Sequence, residues 1–371
     1  MKNKLVLSIY AVIFFVCLNA VQLSAQTAVK NVAKGEEDWR YLKLAQDSYE
    51  NAKYGEAITY AEQAKINRKQ NNDWKIYTIE NTLRLNEVRK VGDLLEDVIP
   101  VLKDRNQKDA VSILEDLTRG RDSKVIDGKL SNALEYLEED YYYPEADFLI
   151  GKIYLLEGEI NLAYSYMNEA YAHADKLDVM DERYDILYSL ASLSYDNNRD
   201  ADYEKYLLLV IKDDGLYMDN AYTNAMLRIV NENKKESVEK FFLLYRSENY
   251  NSIDALEKLA VYYERKGEQD KALKCVSLAS VTSFTKIANT IKSRSTDYSY
   301  ISFENTMTEC QKYPDIISWG NSKGVWELYY NFAVLSRECG KDAFARELLG
   351  ILSRAEPIGY YRVLAQKQLS N

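Results

Sequence analysis

Along most of residues 36–370, small and bulky apolar residues recur at helical spacing, and the pattern is clearest from Gly151. Gly151 is followed by Tyr154, Gly158, Ala163, Met167 and Ala170: an aromatic, a turn glycine, an alanine, a bulky residue and a second alanine. That order spells a helical hairpin. Small residues let two antiparallel helices approach, bulky ones fill the gap, and the glycine relieves the backbone where the first helix ends. The same order returns as Ala260, Tyr263, Gly267, Ala272, Val276, Ala279, and again as Ala333, Ser336, Gly340, Ala345, Leu349, Leu352, with Pro357 ending the second helix.

Weaker copies keep the register. Ala191, Ser194, Tyr203, Leu207 and Val210 form one, and Ala225, Ser237, Phe241 and Leu244 form the next; the steps from 191 to 225 and from 225 to 260 are 34 and 35 residues. Ala45, Tyr49, Tyr54, Ala57, Ala61 and Ala64 make an N-terminal copy, and a faint one lies around Ala110 to Leu117. The step from Gly151 to Ala191 is 40, which predicts an extra helical turn within Tyr171 to Asp181. With this period and these positions the chain resembles the tetratricopeptide repeat family. The resemblance implies an all-α fold, a right-handed superhelical solenoid of helical hairpins, and it is silent over 281–325.

Flanking signals divide the chain. Lys2 and Lys4, the apolar run Leu5 to Val16 and the small residues Ser24-Ala25-Gln26 read as a secretion signal over 1–26, so the protein is expected to be exported to the periplasm. An uncleaved anchor over Leu5 to Val21 is the alternative, while Val16 before Cys17 argues against a lipoprotein. Residues 27–130 read as irregular N-terminal hairpins with one clear repeat, 131–280 as the regular stack, and 281–371 as an irregular segment, a final repeat and a capping helix exposing Arg362, Gln366 and Lys367. The best internal break is Arg119 to Ser123, with Asp127-Gly128 following. Pro100 interrupts a helical run and Pro144 suits a first helical turn.

Losing Lys2 and Lys4 with the leader takes the formal charge from -10 to -12. An acidic surface without a basic patch repels phosphate backbones, which disfavours nucleic acid. Cys275, Cys310 and Cys339 are not at metal-ligand spacing and His173 is the single histidine, so no zinc site, and no cofactor, is expected. The cysteines read either as buried small hydrophobes or as one disulfide plus a thiol. No nucleophile elbow, phosphate loop or His-Glu-x-x-His is present; His173 reads as a bystander and Glu138-Glu139-Asp140 as a solvated face, so an enzyme is not expected.

In tetratricopeptide-like stacks the first helix of each hairpin lines a concave groove, and the resemblance directs the positions six and three before each small residue into it. These are Glu145 and Phe148, Asp185 and Tyr188, Asp219 and Tyr222, Asp254 and Glu257, and Glu327 and Tyr330. The first position is acidic in every pair and the second is aromatic in all but one. Two readings stand. The acids are first-turn caps and dipole partners and the rings are packing, or together they form a groove for a partner peptide with basic residues. With Lys152 as the one cation noted, a clamp on a partner's terminal carboxylate is not expected. The signal and the tyrosine-rich, acidic, proline-poor repeats are also similar to periplasmic tetratricopeptide proteins of spirochaetes, including flagellar collar components. The expected function is a non-enzymatic scaffold binding envelope proteins or peptides. The alternative is a small-ligand or glycan-binding accessory of a transporter, with Trp319 and Trp326 in a lid.

Overall fold

The computed structural model describes residues 33–84, 141–212, 217, 219–234, 236–246, 249–295 and 298–370. The expected signal over 1–26, Pro100, the copy at 110–117, the break at 119–128 and the acidic run 138–140 lie outside the described residues. Those described are helical, with fifteen α-helices and no strand. None of these helices is long and apolar enough to cross a membrane.

The chain divides into two units, 1–178 and 179–371. In the first, α1 (Asp38–Glu50) pairs with α2 (Tyr54–Arg84), α3 (Pro144–Leu156) pairs with α4 (Ile160–Ala172), and α3 packs on both α1 and α2. Pro144 occupies the first turn of α3, where its missing N–H leaves no bond unmade. At Gly151 the helices of the second pair come close: a Cβ there would lie 2.8 Å from Met167 Cγ and 3.3 Å from the Ala163 carbonyl oxygen. The extra turn expected between 171 and 181 is a 3-10 helix, Ala174–Lys176.

The second unit holds three hairpins in series. They are α5 (Glu182–Asp196) with α6 (Asp200–Ile211), α9 (Ile253–Arg265) with α10 (Gln269–Arg294), and α13 (Val325–Glu338) with α14 (Asp342–Ala355). α6 packs on α9, α10 packs on α13, and α15 (Tyr360–Ser370) lies against α13 and α14. Of the three residues expected on the outer face of α15, Gln366 and Lys367 are exposed. Arg362 is instead half-buried, its guanidinium donating to the Glu356 carbonyl, because Glu356 anchors the turn into α15 through the Ile358 and Gly359 amides.

These five hairpins among the described residues close alike. A residue of positive φ follows the first helix (Ala52, Gly158, Asn198, Gly267, Gly340), and the next amide donates back to a carbonyl five residues earlier. The distances are 2.9 Å for Lys53 to Ser48 and 2.8 Å for Glu159 to Tyr154, Arg199 to Ser194, Glu268 to Tyr263 and Lys341 to Ser336. This is a Schellman closure, which satisfies an orphan carbonyl and turns the chain sharply enough for the next helix to fold back.

The copy at 225 departs from this pattern. α7 (Asn220–Glu232) and α8 (Ser237–Phe242) are joined through two left-handed residues, Asn233 and Glu236. α7 buries Tyr222, Thr223, Met226 and Val230, so the stripe passes through Met226 rather than the expected Ala225. The pair docks on α10 and α14, which are second helices. Reciprocal caps hold it there: Asn233 Oδ1 accepts from the Ala343 and Phe344 amides at the start of α14 (2.7 and 3.2 Å), and Glu347 of α14 accepts from Val238 N at the start of α8 (3.2 Å).

The stretch 281–325, unreadable as a repeat, is largely helical among its described residues. α10 runs unbroken across position 280, where a domain boundary was expected, since no proline or glycine interrupts 269–294. α11 (Phe303–Cys310) and α12 (Pro314–Ser322) follow. Phe242 stacks on Phe303 at 3.8 Å and meets Phe284 at 5.0 Å, while Phe241 meets Phe332 at 5.0 Å. This aromatic core ties α8, α10, α11 and α13 together. Cys275 and Cys310 are buried, Cys339 is half-buried, and none is bridged to another; burial pushes the first two thiols up to about 12.

Candidate partner groove

A half-open groove of about 910 Å³ runs along the second unit, walled by α5, α9 and the N-terminus of α13. These are the first helices of the unit's three hairpins. From α5 come Tyr188, Ser192 and Tyr195, and from α9 come Asp254, Glu257 and Arg265. Lys323, Gly324 and Glu327 close the far side. A smaller trough of about 370 Å³ continues past Tyr188, Asp254 and Lys323 to Asp185.

Of the residues expected in the groove, the structure thus brings together Asp185, Tyr188, Asp254, Glu257 and Glu327. Asp185 and Glu327 are exposed, and Asp254 binds Lys323 Nζ at 2.7 Å. The Tyr188 hydroxyl donates to the Asn251 carbonyl (2.6 Å) and accepts from Ala255 N (3.0 Å), so it pins α5 to the start of α9 while its ring forms the groove wall. Burial, then the charge of Asp254, pushes this phenol well above its ordinary range.

The other expected residues have different work. Asp219 caps α7, accepting from Tyr222 N at 2.9 Å, and Tyr222 is buried with its hydroxyl donating to the Leu244 carbonyl at 2.7 Å. Neither lines the groove, because their hairpin docks on second helices. In the first unit Glu145 accepts from Asp178 N at 2.6 Å, its carboxyl raised chiefly by burial, and Phe148 is buried with Lys152 Nζ 4.7 Å from its ring centre. Tyr330 packs on Tyr361 at 5.8 Å and accepts from Gln368, which turns it toward α15. The rings are therefore mostly packing. Tyr203 and Tyr262 are buried and meet at 5.5 Å, leaving Tyr195, 48% exposed, as the open ring of the groove.

The groove is less uniformly acidic than its first-turn residues alone suggest. Lys258, Arg265 and Lys323 also line it, and Arg265 donates to the Tyr195 hydroxyl at 2.6 Å. Those cations were missed because they sit outside the two repeat positions read from the family pattern; helical spacing from Asp254 along α9 was the available signal for Lys258 and Arg265, whereas Lys323 ends α12, in the stretch where the pattern is silent. Among the described carboxyls Glu257 stands out. Burial first, then Glu327 and Asp254, push it up to about 7.

Trp319 and Trp326 do not form a lid over a pocket. Trp326 is buried, its Nε1 donating to Asn321 Oδ1 at 2.8 Å, and its ring fills the space that Gly320 leaves open; Trp319 is half-buried 5.9 Å from Lys286 Nζ. His173 ends α4, stacked at 3.3 Å on Tyr142. No group of three or more His, Cys, Asp or Glu among the described residues is arranged to hold a metal ion.

No protein-family model matches the chain. It is similar to an uncharacterized protein of Treponema pallidum (strain Nichols), 29% identical over 341 residues and covering 91% of each chain.

Proposed function

We propose that this protein is an exported, non-enzymatic scaffold, a tetratricopeptide-like solenoid that holds other envelope proteins through the groove along α5, α9 and α13. The observation that carries this reading is the groove itself: an open trough built from successive first helices, with charged side chains of both signs beside one exposed tyrosine. A small-molecule pocket is enclosed and sparing with charge, whereas an extended polypeptide matches an open trough with spaced polar contacts. The five identical hairpin closures support the repeat architecture. The similar protein comes from a spirochaete, the group whose periplasmic repeat proteins the sequence resembles. Export rests on the N-terminal residues, with cleavage near Ala25.

The test is site-specific photocrosslinking in living cells. A benzophenone residue at Ser192, exposed in the groove, is expected to trap a protein partner, and one at Arg346, exposed on α14, is not. Equal trapping at both sites, or none at Ser192, overturns the groove reading. Intact mass of the protein from the envelope fraction checks export, since a species keeping Met1 and sedimenting with membranes contradicts cleavage.

A further inference from the structure

The groove reading leaves the chemistry of the occupant open, and two adjoining features of the second unit narrow it. The first is a charge without a counterpart. Glu257 and Glu327 interact repulsively across the gap between α9 and α13, with Asp254 nearby. Lys323 is committed to Asp254 at 2.7 Å, Glu327 has the Tyr361 phenol as a neighbour and, second to burial, raises it, and Lys258 on α9 only weakly offsets the Glu257 charge. Glu257 itself carries neither hydrogen bond nor ion pair among the described residues. Gly324 faces this carboxylate, and a Cβ there would stand in ordinary contact, 3.8 Å from both of its oxygens.

The second feature is a notch of about 140 Å³ between α9 and α13, mostly aliphatic but with Glu257, Glu264 and Asn331 among its lining residues. Its walls include Ala260, Val276, Leu328 and Leu335, and Glu257 and Val261 line both it and the groove, so the two are continuous. Its volume is close to that of a dry cavity of ~150 Å³ that accepts benzene, which suits one aliphatic side chain.

We propose that the groove binds a protein segment in which an aliphatic side chain seated in this notch is neighboured by a Lys or Arg whose charge lies over Glu257 and Glu327. This rests on the groove reading above and names the partner's chemistry. A cation at that position relieves the repulsion that exposed Glu327 exerts on half-buried Glu257, and the apolar neighbour gains by leaving water. Anionic segments meet a like charge there and are repelled.

The test is panning a phage-displayed library of random dodecapeptides against the immobilised full chain, then measuring enriched peptides by fluorescence anisotropy. The expected consensus pairs an aliphatic residue with Lys or Arg. Binding should fall tenfold or more on E257Q/E327Q, persist largely on E257D/E327D, and weaken as salt is raised. Circular dichroism melts of each variant separate lost binding from lost folding. Enriched peptides without a basic residue, basic peptides that bind E257Q/E327Q equally well, or no enrichment overturn the proposal. Any of these alongside groove-specific crosslinking at Ser192 leaves the scaffold reading standing and removes only this assignment.

Discussion

Gly320 and Glu257 show how single positions in the second unit are held by what faces them. A Cβ on Gly320 would fall 2.4 Å from Cζ2 of the buried Trp326 ring, which cannot yield without disturbing the aromatic core. G320A is therefore expected to destabilise by about 1 to 3 kcal/mol despite alanine's better helix propensity, read as a lower Tm. For Glu257 the folded carboxyl titrates at about 7, well above an unfolded glutamate near ~4.3. The folded state thus holds that proton more tightly. Its contribution to stability is complete below about pH 4 and is lost as pH rises through about 7. E257Q should flatten the dependence of Tm on pH between about 5 and 8 and raise stability at neutral pH by about 1 to 2 kcal/mol, after allowance for solvent screening. Melts of wild type and E257Q across that range decide it; parallel curves would show that the carboxyl is not perturbed in solution. Neither feature was legible beforehand, since the Trp326 contact and the Glu327 repulsion depend on which helices meet.

At the scale of elements, the contacts between paired helices were readable and the caps between distant ones were not. Ala163 and Ala272 are fully buried at hairpin contacts, as their spacing implied, so Ala163→Leu and Ala272→Leu are each expected to cost about 1 to 3 kcal/mol by overpacking. Unchanged melting in both would contradict the helix contacts drawn here. Asn233 differs, because it caps a helix more than a hundred residues further along the chain. N233G keeps the left-handed backbone but removes the cap on α14, and it should lower stability by about 0.5 to 2 kcal/mol; N233A should cost more, since it adds strain at φ 50. An N233G variant that melts like wild type, with only N233A destabilised, would mean that the backbone conformation, not the cap, holds α7 and α8 in place.

For the whole molecule, the groove separates two acids that looked equivalent in the repeat pattern. Asp185 is exposed in the trough beside Tyr188, whereas Asp219 is spent on the α7 cap. Asp185→Asn is expected to weaken capture of the crosslinked partner and reduce its sensitivity to salt, because exposed charges act over about 8 to 10 Å at near-physiological ionic strength. Asp219→Asn should leave capture unchanged and cost about 0.3 to 1 kcal/mol of stability. Anisotropy titrations at two salt concentrations, with melts, distinguish the two. Capture lost equally in both variants would return Asp219 to the binding surface.

The helical class and the five hairpins were written in local order, because small residues, bulky residues and left-handed turn residues act on neighbours a few positions away. Asn198 and Ala52 served as turn residues without glycine, and the spacing still carried their hairpins. Local order does not specify which face a hairpin buries. The copy at 225 has the right period, yet Met226 replaces Ala225 at its contact and Phe241 and Phe242 enter an aromatic core supplied by α10, α11 and α13. That long-range burial, with the caps from Asn233 and Glu347, carries α7 and α8 to the second helices. It leaves α5, α9 and α13 as the groove, an assignment that followed from packing between distant segments and not from spacing along the chain.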